Sequence, residues 1–264
     1  MIKILMVGDV VSKSGRAMLE THLKAIKEKH QIDFIIANGE NVTHGKGITK
    51  DMLNKLLSYG CDAITLGNHA FRKDTHQSLF EHPSLIRPYN IHKSAPGVGT
   101  RVYEINNIKI RVTNILGQVY IGELKPTNPF DALDEIIALS DEKVHIVDFH
   151  AQATGEKMAL AYEFDGKVSA ILGTHTHVQT ADERILEHKT AYISDVGMCG
   201  AYNSIIGSRP NEVIYKSRTG LPASFEIAVG PGQLNAVVVS IDEETGQASE
   251  IYRININPEK QFNY

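Results

Sequence analysis

The sequence predicts an α/β fold: mixed β-sheets, one sheet or two stacked as layers, with helices outside. Three observations predict it. Short apolar runs alternate with helical patterns over residues 2–66; two later stretches read as antiparallel hairpins; and five apolar runs end in polar clusters.

Residues 2–7 form a continuous apolar run, the first strand. Over residues 15–28, Ala17, Leu19, Leu23 and Ile26 recur at helical spacing. Residues 34–37 give a second strand. Thr49 fits an N-cap, and Met52, Leu53, Leu56 and Leu57 make the buried stripe of the next helix. Residues 63–66 give a third strand, and the order β-α-β-α-β implies a parallel sheet covered on both faces. Residues 99–104 and 109–114 flank Asn106-Asn107, which predicts a hairpin. A helix is expected at 130–139 and strands at 144–149, 169–172 and 190–193. A last hairpin, 234–241 with 250–256, turns at Glu243-Glu244-Thr245-Gly246. With no internal repeat, low-complexity tract or clear linker, residues 1–264 read as a single domain. The segment 195–222, rich in Gly, Pro, Ser and Asn, fits a small cap or lid and equally a plain surface loop with one helix.

Composition narrows the partners. The chain has 264 residues, enough for one sizeable core, with 42% hydrophobic and 22% charged residues. A net charge of −4 without any Lys/Arg run gives no footprint for duplex nucleic acid, while a single nucleotide remains feasible. No apolar stretch approaches the roughly 18 residues that span a bilayer, so no membrane anchor is expected. The opening MIKILMVGDVV reads as a strand and not as a signal peptide. Cys61 and Cys199 cannot build a disulfide framework and fit small buried hydrophobes of a reducing compartment.

The polar clusters carry the chemistry. They are Gly8-Asp9, Asn38-Gly39-Glu40-Asn41, Gly67-Asn68-His69, Asp148-Phe149-His150 and Gly173-Thr174-His175-Thr176-His177. Ligands of open α/β sheets bind outside the carboxyl ends of strands, so clusters far apart in sequence can share one cleft. Gly8, Gly39 and Gly67 directly before a ligand-type residue, and Gly173 two before one, are expected to let the chain turn sharply. The set offers carboxylates (Asp9, Glu40), amide oxygens (Asn41, Asn68), imidazoles (His150, His175, His177) and one spare imidazole, His69. Oxygen and imidazole donors without a thiolate suit Mn, Fe, Zn or Co. Seven donors exceed the four of a structural zinc and fit two metals sharing a carboxylate. Two divalent ions against Asp9 and Glu40 leave a net positive site, which attracts an anionic phosphate.

Each residue alone has a structural explanation: Asp9 and Asn68 as turn formers, Asn41 in an Asx-turn, His150 as a satisfied core histidine. His175 and His177 are harder to dismiss, since alternate strand positions face one side. His145, five residues before His150 on one strand, should face the other way. His22, His30, His76, His82, His92 and His188 read as solvated, and His44 as a surface-loop residue. Gly45-Lys46-Gly47 fails the phosphate-loop spacing. Thr154-Gly155-Glu156-Lys157 reads as an ordinary helix start, and Arg72 and Arg87 as solvated surface arginines.

With these residues the chain resembles the calcineurin-like metallophosphoesterase superfamily, whose motifs run Asp-x-His, Gly-Asp, Gly-Asn-His, a lone His and Gly-His-x-His. Here Val11 stands in place of the first His and Glu40 in place of the bridging Asp, with Asn41 supplying the lost donor. Those departures, with GDVV, NGEN-x-x-HGKG, GNH, DFHA-x-AT-x-EK and GTHTHVQTAD over the first two-thirds of the chain, look like the bacterial YmdB-type branch. The resemblance implies a metallophosphoesterase-like sandwich and a cytoplasmic, homo-oligomeric phosphodiesterase acting on a small phosphorylated substrate, 2′,3′-cyclic nucleotides first. It implies two metal ions, iron or manganese ahead of zinc, one among Asp9, Glu40, Asn41 and His177, the other among Glu40, Asn68, His150 and His175. The expected reaction is attack on phosphorus by a hydroxide between the metals, with His69 as general acid to the leaving alkoxide. A phosphomonoesterase or protein phosphatase on the same site, or a low-turnover regulatory nucleotide-binding protein, are the alternatives.

Overall fold

The computed structural model describes residues 1–260 as two stacked sheets with helices on both outer faces. The first sheet contains β1 (Ile2–Val10), β2 (Phe34–Asn38), β3 (Ala63–Thr65) and β4 (Leu85–Ile86), all parallel. Between these strands run α1 (Ser12–His30), α2 (Lys50–Ser58) and the single turn α3 (Gln77–Phe80). The second sheet is built on β5 (Thr100–Ile105), β6 (Ile108–Leu116), β7 (Val144–His150), β8 (Ala170–Thr174), β9 (Arg184–Ile185) and β10 (Ala191–Ile193). Its connections include α4 (Pro129–Ala138) and α5 (Thr154–Glu163). Its four middle strands are parallel, and β5 and β9 are antiparallel edges. The chain then returns to the first sheet through β11 (Met198–Ala201), α6 (Pro210–Thr219) and the hairpin β12 (Gly232–Ile241) with β13 (Ala248–Ile256).

Side-chain alternation explains the layers. Ile4 and Met6 of β1, Phe34 and Ile36 of β2, Ile146 of β7 and Leu172 of β8 meet between the sheets. Their neighbours Leu5, Val7, Ile35 and Ala37 face outward and are covered by Leu19, Leu23 and Ile26 of α1 and by Leu53 and Leu56 of α2. Val147, Phe149 and Ile171 pack outward against Leu133, Leu160 and Ala161 of α4 and α5. At about 25 cal/mol per Å² of apolar surface, these two fully covered sheets carry most of the stabilisation.

The hairpin at Asn106-Asn107 forms as expected, both residues having positive φ (52° and 66°), the conformation Asn tolerates in tight hairpin turns. The strands β4, β9 and β11, of two to four residues, are too short to leave a periodic signal in the sequence. β1 also runs three residues further than expected, through Asp9 to Val10.

That extension contains a bulge. Val7 pairs with Ala37 but Asp9 pairs with Asn38, so Gly8 is an extra residue on β1. Even-numbered residues of β1 face the other sheet up to Met6. After the bulge Val10 faces the helices and Asp9 turns to the inner side. A side chain at Gly8 would strike the carbonyl of Gly197.

Candidate metal centre

The inner face of the sandwich changes character at one end. Two residues beyond Ile36, Ala63, Ile146 and Leu172 stand Asn38, Thr65, Asp148 and Thr174. These four buried polar groups bond one another across the sheets. Asp148 Oδ2 accepts from Thr65 Oγ1 at 2.5 Å and from Asn38 Nδ2 at 3.0 Å, and Oδ1 accepts from Thr174 Oγ1 at 2.6 Å. His150, fully buried, sits on this floor with Nδ1 2.9 Å from Thr174 Oγ1.

Above the floor the candidate residues converge in two groups. His150 Nε2 lies 3.1 Å from Asn68 Oδ1, 3.0 Å from His175 Nδ1 and 3.3 Å from Glu40 Oε1. His177 Nε2 lies 3.2 Å from Asn41 Oδ1 and 3.8 Å from Asp9 Oδ1. Asp9 Oδ1 is 3.9 Å from His150 Nδ1, which joins the groups. All seven residues proposed from sequence as ligands thus lie together. His69 is beside them: its backbone N–H donates to Glu40 Oε2 at 2.9 Å.

The cluster packs carboxylates and imidazoles against one another away from water. Burial pushes the Asp9 carboxyl up to about 6 against the pull of His177 and His150. Burial disfavours the His150 imidazolium, yet the Glu40 carboxylate outweighs it and brings His150 up to about 9. Burial opposes the Glu40 carboxylate likewise, but His150 draws it down to about 2. Burial and the neighbouring His150 push His175 down to about 3, so its ring stays neutral and can accept. Asp9 Oδ1 is buried without a hydrogen-bond partner. A cation bonded at about 2.1 Å to donors at right angles spaces them about 3.0 Å apart, close to the distances around His150. The donor set and the unpartnered oxygen both fit divalent metal ions.

Local sequence explains how each donor is delivered. Asp9 is aimed by the bulge. Glu40 follows Asn38, whose Oδ1 accepts the Glu40 N–H at 3.1 Å. Asn41 is fixed by donating to the Gly45 carbonyl at 2.9 Å. Three expectations need correction here. His175 and His177 do not occupy alternate strand positions; β8 ends at Thr174, and both have positive φ (107° and 65°), so a turn aims them. Gly8, Gly39, Gly67 and Gly173 do not have positive φ; a side chain at Gly67 would collide with Glu40 and His150, so close packing requires glycine there. Arg87 is buried and bonds the carbonyls of Pro88 and Tyr89, unlike a solvated arginine. His145 does face away, bonding Thr113 Oγ1 at 2.8 Å on the other side of β7.

Several contributing residues escaped the sequence reading. Glu123, in the loop after β6, places Oε2 2.8 Å from His69 Nδ1 and is itself gripped by Arg72 through both oxygens. The Arg72 hydrogen bond holds Glu123 down at about 2. No periodicity marks a loop glutamate, so nothing pointed to it. Asp148 shares strand parity with His150, a signal that was available. Glu156 accepts from the N–H of Gln118 at 2.7 Å and so anchors the start of the Glu123 loop. In the 195–222 segment the carbonyl of Ile206 lies 2.9 Å from His177 Nδ1, and α6 has no buried residue. No helix among the described residues is long and apolar enough to cross a membrane.

The fold recurs in known proteins. The family model described as YmdB-like protein matches residues 5–254. A 2′,3′-cyclic-nucleotide 2′-phosphodiesterase of Bacillus subtilis is 42% identical over 264 residues, 99% of each chain. A solved structure from Mycoplasma pneumoniae, described as a novel phosphatase, superposes with a TM-score of 0.93 at 41% identity, covering 98% of this chain and 95% of that one. A hypothetical protein from Thermus thermophilus superposes with a TM-score of 0.91 at 35% identity, covering 97% and 99%.

Proposed function

The chain belongs to the YmdB-like family of metallophosphoesterase fold, and from that premise we propose that it hydrolyses 2′,3′-cyclic nucleotides with two divalent metal ions. It is a hydrolase, a metal-dependent phosphoesterase. The observation that carries the finer reading is the convergence of seven oxygen and nitrogen donors from five strand ends, with neighbouring donors 3.0–3.9 Å apart.

One ion would be held by Asp9, Glu40, Asn41 and His177, the other by Glu40, Asn68, His150 and His175. When bound, such ions supply positive charge for the phosphoryl oxygens and bring the pKa of water to near neutrality. The protein groups do the rest. Asp148, Thr174 and the Ile206 carbonyl orient the imidazoles, as outer partners of metal-ligating histidines do. Opening a cyclic phosphodiester expels a sugar alkoxide, which needs a proton. His69 is the acid in this reading: Glu123 holds Nδ1, which leaves Nε2 to carry the proton. Iron or manganese suits this donor set, and the same single domain includes the 195–222 segment as a wall of the site. A homo-oligomer in the cytoplasm completes the reading; exposed Ile214, Tyr215, Leu221 and Phe225 support the former.

Protein purified without chelator is assayed with a 2′,3′-cyclic nucleotide, a 3′,5′-cyclic nucleotide and a phosphomonoester. The 2′,3′-cyclic compound should turn over fastest, chelation should abolish turnover, and manganese or iron should restore it. Faster turnover of the monoester would make the protein a phosphomonoesterase, the reading favoured by the description of its Mycoplasma relative. Metal-loaded protein without turnover would make it a nucleotide-binding regulator.

A further inference from the structure

We propose that Lys157 and Asp195 are positioning residues for the loop that carries His175 and His177, and that their ion pair sets metal affinity without touching metal or substrate. The inference rests on the metal-site reading above.

Lys157 lies in the first turn of α5, yet its side chain is only 2% exposed and that of Asp195 only 1%. Its Nζ donates to Asp195 Oδ2 at 2.9 Å and to the Thr174 carbonyl at 2.9 Å. Asp195 Oδ2 also accepts the Thr176 N–H at 2.9 Å, and Oδ1 accepts the Gly197 N–H at 2.8 Å. One ammonium and one carboxylate therefore hold the backbone just before His175 and again between the two histidines. The hold extends to Asp9, whose N–H donates to the Gly197 carbonyl at 3.0 Å and whose Oδ2 accepts the His175 N–H at 3.1 Å.

The loop needs such a hold. Positive φ at both His175 and His177 is unfavourable for residues with side chains and persists only where surroundings enforce it. Packing alone does not explain the pair, because an apolar pair of similar volume stabilises a protein as well or better. Beyond the bond between the two, the side-chain hydrogen bonds of the pair go to the backbone of the loop or of the 195–197 turn beside it.

A part-buried ion pair provides the control. Arg111 Nη2 lies 2.7 Å from Glu142 Oε2, with side chains 13% and 6% exposed, and Arg111 is opposite His145 at the other end of the sheet. Metal-free protein is titrated with Mn²⁺, with bound ions counted by equilibrium dialysis and the melting temperature recorded by circular dichroism. Lys157→Met and the isosteric Asp195→Asn should each weaken Mn²⁺ binding ~10–100-fold while the chain stays folded, the range seen when outer partners of metal ligands are removed. Arg111→Met should lower the melting temperature and leave Mn²⁺ binding at the wild-type value. The double variant Lys157→Met/Asp195→Asn should regain melting temperature, since no buried charge is left alone, but not Mn²⁺ affinity. Wild-type Mn²⁺ affinity in either folded single variant, or joint recovery of affinity and melting temperature in the double variant, overturns the inference. Failure of the wild-type protein itself to take up Mn²⁺ overturns the metal reading and this inference with it.

Discussion

The two halves of the metal centre use the same donor types on different supports. Around His150 the donors stand on a buried floor: His150 is the last residue of β7, and Asp148 and Thr174 beneath it are fully bonded. Around His177 only Asp9 stands on a strand, β1, and the other two donors stand on loops: Asn41 is tied to Gly45, and His177 to the carbonyl of Ile206, a half-exposed β-branched residue at φ 46°. Spacings follow, at 3.0–3.3 Å in the first half and 3.2–3.8 Å in the second. Preorganised donors lose less entropy on binding. The His150 half should therefore bind its ion more tightly.

Glu40 belongs to both halves, so its loss should be the largest. Glu40→Gln should release both ions and reduce turnover by at least about 10³-fold, the scale of several kcal/mol of charge stabilisation. Two retained ions in the purified variant would refute sharing. His69→Ala should reduce turnover ~10²–10⁴-fold while elemental analysis still finds both ions. Lost ions would make His69 a structural partner of Glu40. The comparison itself is tested by His177→Ala, which should weaken one ion about 10–100-fold and spare the other. Stepwise chelation of the wild-type protein should likewise show a stage with one ion per chain. Simultaneous release would mean that the halves are equivalent. His145→Gln, on the outer face of β7, should have the smallest effect. Burial pushes His145 down from 6.5 to about 3, so the folded chain keeps it neutral where the unfolded chain takes up a proton. Its contribution is complete above pH 6.5 and is lost as pH falls towards 3, at up to about 1.4 kcal/mol per pH unit. Equilibrium unfolding of the variant should show a flatter acid slope in this window, with metal uptake unchanged.

Strand ends such as Gly67-Asn68-His69 were legible because an apolar run stopping at a polar triplet is a local pattern. The seven donors were found for that reason, together with the layers that alternation dictates. Asp9 was chosen for its type, but its direction depends on the bulge at Gly8, and a bulge is a property of two paired strands that one strand cannot show. The turn at His175 and His177 was misread as strand because x-His-x-His also satisfies a period of two. Glu123, Lys157 and Asp195 were missed for another reason: their partners lie 54, 17 and 19 residues away in sequence. Lys157 showed only as part of a helix start, since nothing in its own neighbourhood says that its ammonium is buried.

The floor of Asn38, Thr65, Asp148 and Thr174 belongs to the same strands that form the apolar interior directly below it. Segments of that kind open only when the whole domain does, whereas loops come apart earlier. Warming should thus loosen the His177 side first, and the bed under His150 should survive until the molecule melts, so that the last residual order in a dying enzyme is half of its active centre.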